Sequence, residues 1–521
     1  MTAPLHRFVL PGGARLIVAP DPEAAAVSVS FAIAAGAADE PARLPGVAHL
    51  TEHLLVRAAN RTPALGPTGA AFRGETTLDA CTLEAWCRAE DLATVVQAGA
   101  AGLTGAIDPE AVAVERAVVA AELSSASRRD LGGREAARRR GAFGRGHPYS
   151  RNVAGDADVV RALEAQDLEA FRSAAHTTSG LAVVVHGAVD AATVHGIATA
   201  VDLRLPGAAS PRSLPPAAAT RERGAQATLP APAAGAPDAV GARAWAELLT
   251  RRLNRGGAGG WARAWAGRDA GLILISCAAE GAALESARAL AAEPVDPEAL
   301  QAVKDADIAR EDETRRRGSR LAHAEVVGRG AESLAADRAR FDALEPRDVE
   351  AFAARIDWGG ASTRDVPFAP PSPTRTTVAR SWNNDRWDLG TDLLAALTSD
   401  PLGPILAAAR DRDGLIYSCL GYPVRSNRFV VLARTESRLA AATAASLDAV
   451  LARLGAGPTD AEIDRAVAYN DLGRRIAQTV ERYLEIVGAD AGIDPRAALV
   501  EAARRILGRA PDRAYVTEGP P

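Results

Sequence analysis

His49-Leu50-Thr51-Glu52-His53 puts two imidazoles and a carboxylate within five residues. On a helix, His49 and His53 fall one turn apart on the same face, where both can reach a single zinc ion at about 2.0–2.1 Å. Glu52 stands beside them, placed to take a proton from a metal-bound water whose pKa zinc lowers to about 7. The chemistry on offer is metal-assisted hydrolysis. A pair of surface histidines near a glutamate is the bland alternative, but the chain has only 8 histidines in 521 residues.

A catalytic zinc takes three protein ligands and keeps one position open, so another ligand is needed. The stretch VERAVVAAEL carries Glu115 and Glu122, seven residues or two helical turns apart and therefore on one face. Either is a candidate, although most glutamates on helices simply form a solvated edge.

The elements that must position these groups follow from periodicity. Residues 7–34 read as two strands, RFVL, a PGG turn, RLIVAP and then the β-branched alternation AVSVSFAIAAG, and a Pro45-Gly46 breaker opens a helical pattern that runs to about Asn60. TTLDACTLEAWCR (76–88) reads as a strand, Asp108-Pro109 starts a helix to about Arg129, helical signals return at 156–176, and LAVVVHGAV (181–189) reads as a buried strand. Residues 1–203 thus form one metal-binding α/β unit. The Pro/Ala-rich stretch 204–238 reads as a linker.

Beyond it the sequence repeats. GRDAGLILISC resembles DRDGLIYSC, and EPRDVEAFAARI (345–356) resembles AQDLEAFRSAAH (165–176). Residues 239–366 are read as a degenerate structural repeat and 375–521 as a C-terminal unit. The expected fold class is α/β (α+β): repeated two-layer units of mostly antiparallel sheet packed by helices, enclosing a chamber.

Charge excludes other functions. With 60 basic and 65 acidic residues, a net charge of -5 offers no field to hold a polyanion, so no nucleic acid is expected. Cys81, Cys87, Cys277 and Cys419 form neither a disulfide framework nor a CxxC zinc site, which fits a reducing compartment. The N-terminus lacks a basic region followed by an apolar core, and no run reaches about 20 apolar residues, so the expectation is a cytoplasmic protein without a membrane.

These motifs resemble those of the inverted zinc metallopeptidases of the insulinase and pitrilysin type, which include the mitochondrial processing peptidases. The likeness rests on GVAHLTEHLL against G-x-A-H-x-x-E-H, on VERAVVAAEL against E-R-x-x-V-x-x-E-L, on GHPYSRNVAGD (146–156) and on VVVHGAVD. The resemblance implies His49, His53 and Glu122 as Zn2+ ligands, Glu52 as general base and Glu115 as a supporting carboxylate. It also implies that peptides bind as an added strand beside Arg73-Gly74-Glu75-Thr76, where the family has N-A-x-T. Arg410 to Ser418 is similar to the family's L-R-x-x-x-G-L-x-Y-S segment, so Arg410 and Tyr417 would reach the substrate carbonyl from the last unit. Gly267–Leu274, the counterpart read in the middle unit, lacks both residues. The implied function is a zinc metalloendopeptidase acting on peptides or small unfolded proteins. A non-catalytic, partner-binding subunit of the same fold is the alternative, and a homodimer or a heterodimer with a related subunit is open.

Overall fold

The structure, a computed structural model, describes residues 4–129, 131–207, 226–255, 260–277, 283–311, 317–328, 330–358, 362–364, 375–416, 418–424, 427–476, 478, 483, 490 and 492–518. Three sheets organise it. The first contains β1 (His6–Val9), β2 (Arg15–Pro20), β3 (Val27–Ile33), β4 (Arg73–Thr76), β5 (Cys81–Cys87) and β6 (Leu181–Gly187), in the order β1-β2-β6-β3-β5-β4. Only β2 and β6 run parallel. β3, VSVSFAI, is buried at every position, as a strand covered on both faces must be.

One face of this sheet packs the helices Val47–Asn60 and Leu92–Thr104 over Phe31, Leu83 and Val183. The other is covered by a helix from the middle of the chain, Arg317–Val327, whose Leu321, Ala322 and Val326 rest on Ile17, Ala32 and Val184. At Gly318 a Cβ would overlap Ser28 Oγ, so only glycine lets this helix approach.

The second sheet holds β7 (Gln226–Ala231), β8 (Gly260–Ala266), β9 (Gly271–Cys277) and β10 (Ser362–Arg364) in the order β10-β7-β9-β8. The third holds β11 (Arg375–Asn383), β12 (Ser418–Val424), β13 (Arg428–Glu436) and β14 (Arg513–Glu518), ordered β14-β11-β13-β12. Every pairing in both is antiparallel. β3 to β6 of the first sheet follow the same scheme: strand, helix, two-stranded hairpin, helices, then a closing strand beside the first. The expected α/β class with repeated, mostly antiparallel sheets is the fold observed.

Two sequence readings change. β7 lies inside the stretch read as a linker: Ala227 and Leu229 are buried, and the strand pairs with both β9 and β10 despite Pro230. On the near side, Leu203 and Leu205 pack into the first core and Gly207 bridges Thr177, so the first unit continues past residue 203. The repeat register also moves. GLILISC is β9, the second strand of its hairpin, whereas Ser418 opens β12, the first strand of its own. The two segments share a G-L-I run shortly after an aspartate without sharing a place in the fold. The counterpart of Arg410–Tyr417 in the middle unit therefore precedes β8, after the helix Ala239–Arg255, and is not Gly267–Leu274. The other repeat pairing falls on equivalent helices, Pro346–Ala354 and Ala165–Ala175, each leading to a closing strand.

Among the described residues, one helical segment, Ser437–Ala456, is long and apolar enough to cross a membrane by length and composition. Here its Leu447, Leu451 and Leu454 fill the core beneath the third sheet.

The last unit is seated on the first. Arg465, buried, pairs bidentately with Asp400 at 2.7 and 2.8 Å and donates through Nη1 to the carbonyls of Ala70 at 2.7 Å and Gly66 at 3.2 Å. Beside it, a Cβ on Gly69 would overlap the Ala468 backbone.

Candidate active site

The pentad occupies the first two turns of the helix Val47–Asn60. Gly46 precedes it with φ +99°, in the left-handed region, and a Cβ there would meet Val160 Cγ2 at 2.7 Å. Glu40 Oε1 accepts from the backbone N–H groups of Gly46 and Ala48, both at 3.0 Å, and so satisfies two of the helix's free donors. The segment GHPYSRNVAGD supports the same turn: Gly155 abuts Gly46, and the Ala154 carbonyl lies 3.4 Å from His49 Nδ1.

His49 and His53 present their rings edge to face, with centroids 4.8 Å apart. His53 Nδ1 is 3.1 Å from Glu115 Oε2. Both rings thus engage Nδ1 with a protein acceptor, which leaves the two Nε2 atoms to face Glu122. His53 Nε2 lies 3.3 Å and His49 Nε2 3.9 Å from Glu122 Oε2. One ligand atom from each of the three lies within 4.8 Å of the others. Tetrahedral zinc with bonds of about 2.0–2.1 Å separates its ligand atoms by about 3.3 Å, so the donor set of two imidazoles and a carboxylate fits that ion.

Electrostatics distinguish the carboxylates. Burial pushes Glu52 up to about 7, with Glu122 and Glu115 adding to the rise and His53 opposing it. Burial also acts to raise Glu115 and Glu122, but the hydrogen bond from His53 and the charges of His53 and Arg410 outweigh it and hold both down to about 2. Burial lowers His49 to about 4. For His53 burial acts in the same direction, yet its hydrogen bonds to Glu115 and Glu122 prevail and lift it to about 10. The Glu52 carboxylate lies against β4, where a Cβ on Gly74 would overlap Oε1. β4 is an edge strand, and a cavity of about 900 Å³ opens on its other face between Glu75, Glu84 and His323.

Of the residues selected from sequence, the structure brings together His49, Glu52, His53, Glu115, Glu122 and Arg410. Arg410 arrives from 295 residues away and contacts Glu115 Oε2 at 3.4 Å. Tyr417 lies outside the described residues. Sequence reasoning missed Arg57, which donates to Glu115 Oε1 at 3.0 Å, and Asp411, which receives Arg57 in turn at 3.2 Å. Arg57 sits one turn beyond His53, so the four-residue spacing 49, 53, 57 was the available signal.

Residues 15–154 match the family model "Insulinase (Peptidase family M16)". A stretch of 49 residues is 49% identical to Coenzyme PQQ synthesis protein F of Pseudomonas aeruginosa, covering 9% of this chain and only 6% of that relative. The periplasmic protease PqqL of Escherichia coli shares the fold over 97% of this chain and 74% of its own, with a TM-score of 0.53 at 15% identity. A peptidase M16 inactive domain from Pseudomonas fluorescens does so over 71% of this chain and 100% of its own, with a TM-score of 0.57 at 15% identity. In motifs, in the segment holding the three clustered side chains and in fold, the chain resembles the insulinase and pitrilysin peptidases.

Proposed function

We propose that this chain is a zinc-dependent endopeptidase that cleaves peptides or small unfolded proteins. The observation that carries the reading is the convergence of His49, His53 and Glu122, with the Glu52 carboxylate of the same helix lying against the edge strand β4. When bound, zinc would supply a Lewis acid and make a water acidic enough to ionise near neutrality. His49, His53 and Glu122 would hold it. Glu52, with its affinity for protons raised to about 7, is matched to accept the proton of the attacking water and pass it to the leaving amine. Glu115 fixes the His53 ring, and the edge of β4 offers main-chain groups to an extended peptide. Arg410 and Tyr417 are assigned to the substrate carbonyl, where a donor stabilises developing negative charge.

The inactive domain among the fold's neighbours favours one other reading, a non-catalytic partner-binding subunit. A peptide library digested with and without chelator, by wild type and Glu52→Gln, separates them. Cleavage that needs both zinc and Glu52 supports the peptidase; zinc uptake without any cleavage supports the binding subunit.

A further inference from the structure

The group that steadies His53 is itself held from two units. Glu115, fully buried, accepts His53 Nδ1 and Arg410 on Oε2 and Arg57 on Oε1. Arg57 also reaches across the interface: Nη1 donates to Asp411 Oδ1 at 3.2 Å and Nη2 to the Asp411 carbonyl at 3.1 Å. Its side chain is only 6% exposed, so these contacts form where water screens little. The turn that delivers Arg410 and Asp411, Ala407–Arg412, is π-helical, and Leu415 N–H closes it on the Ala409 carbonyl at 2.7 Å. Such π-helical turns are rare and occur frequently at functional sites. Two cations, Arg57 and Arg410, thus meet two anions, Glu115 and Asp411, with one of each contributed by each unit.

We infer that Arg57 and Asp411 are positioning residues that couple the seating of the last unit to the metal site. Asp411 orients Arg57, Arg57 orients Glu115, and Glu115 orients the His53 ring. With the last unit unseated, Glu115 loses Arg410, and Arg57 loses both of its Asp411 acceptors and is free to turn away. The site then keeps its ligands but not their fixed geometry. Lysine cannot replace Arg57, because a single ammonium does not span the Glu115 carboxylate and both Asp411 acceptors.

This inference rests on the zinc reading of the site, and the test separates the two. Full-length apoprotein is titrated with Zn2+ in competition with a chromogenic chelator, for wild type, Asp411→Asn, Arg57→Lys, Glu115→Gln and Asp411→Asn/Glu115→Gln. Asp411→Asn preserves shape, which guards against a folding failure. Groups that support a ligand typically carry about 10–100-fold in affinity, so Asp411→Asn and Arg57→Lys should each weaken zinc binding by about tenfold. In the Glu115→Gln background the effect of Asp411→Asn should largely vanish, since it acts through Glu115; a merely structural role would be additive. Zinc affinity within about twofold of wild type in both single variants, or an undiminished loss in the Glu115→Gln background, overturns the coupling and leaves the zinc site standing. Failure of wild type to take up zinc removes the site reading and this inference with it.

Discussion

His53 Nδ1 stands 3.1 Å from Glu115 Oε2 while Nε2 of the same ring faces Glu122 Oε2 at 3.3 Å. One imidazole therefore joins a carboxylate that supports it to a carboxylate that stands where a co-ligand would. Glu115→Gln keeps the shape but weakens the acceptor. It should lower zinc affinity by about 10–100-fold without unfolding the protein, measured by chelator competition alongside thermal unfolding. Unchanged affinity would remove Glu115 from the site.

Glu52 and Glu122 should separate cleanly. Glu52→Gln should keep zinc near one equivalent and lose hydrolysis, because Glu52 lies against Gly74 and outside the ligand cluster. Glu122→Ala should lose metal. Zinc content by mass spectrometry decides, and equal occupancy in Glu122→Ala and wild type would show the ligand set to be wrong.

Zinc uptake should release protons. In the metal-free site His53 is lifted from 6.5 to about 10, whereas His49, lowered to about 4, is already neutral at pH 7. A ligating imidazole must offer its lone pair, so binding at pH 7 should expel about one proton, and affinity should rise as pH rises towards 10. The linkage sign is the reverse for the apoprotein: the His53 contribution to stability is complete below about pH 6.5 and fades as pH climbs through about 10. Calorimetry in buffers of different ionisation enthalpy counts the protons, and a count of zero would contradict the charged state assigned to His53.

The ligand cluster was legible in sequence because it is mostly local: His49, Glu52 and His53 share two helical turns, and Glu115 and Glu122 share another helix. Arg57 was passed over because a lone basic residue late in an amphipathic helix looks solvated until its acceptors are known. Those acceptors include Asp411, 354 residues away, which no periodicity reports. β7 was hidden by composition, since QATLPA carries only Leu229 as a large apolar side chain and the burial of Ala227 and Leu229 depends on partners on both sides. The repeat register slipped because turn residues recur wherever a strand begins, while the place of that strand in a hairpin is set by pairing.

Gly46→Ala should destabilise the first unit. The position needs φ +99°, and a Cβ would press on Val160 Cγ2 at 2.7 Å. Left-handed backbone in a residue with a side chain costs about 1–3 kcal/mol, and the contact adds to it. Because the Gly46 turn also sets His49 against the Ala154 carbonyl, zinc affinity should fall with the melting temperature. A variant as stable as wild type would mean that the turn relaxes freely.

Arg465 governs whether the last unit stays seated. Its guanidinium answers Asp400 with two hydrogen bonds and reaches the Ala70 and Gly66 carbonyls of the first unit through Nη1. Arg465→Met keeps much of the side chain's bulk but leaves Asp400, only 2% exposed, as a buried charge without its partner. Breaking a buried pair from one side costs about 3–5 kcal/mol, more than most single contacts contribute. The outcome to expect is a lower melting temperature, together with faster proteolysis between the units. Arg465→Met/Asp400→Asn should recover part of the loss, because the second change removes the stranded charge. The same seating brings Asp411 to Arg57, so Arg465→Met should also release zinc more readily although it touches no ligand. A variant that melts like wild type, or a double variant no better than the single one, would show that this ion pair does not hold the two units together.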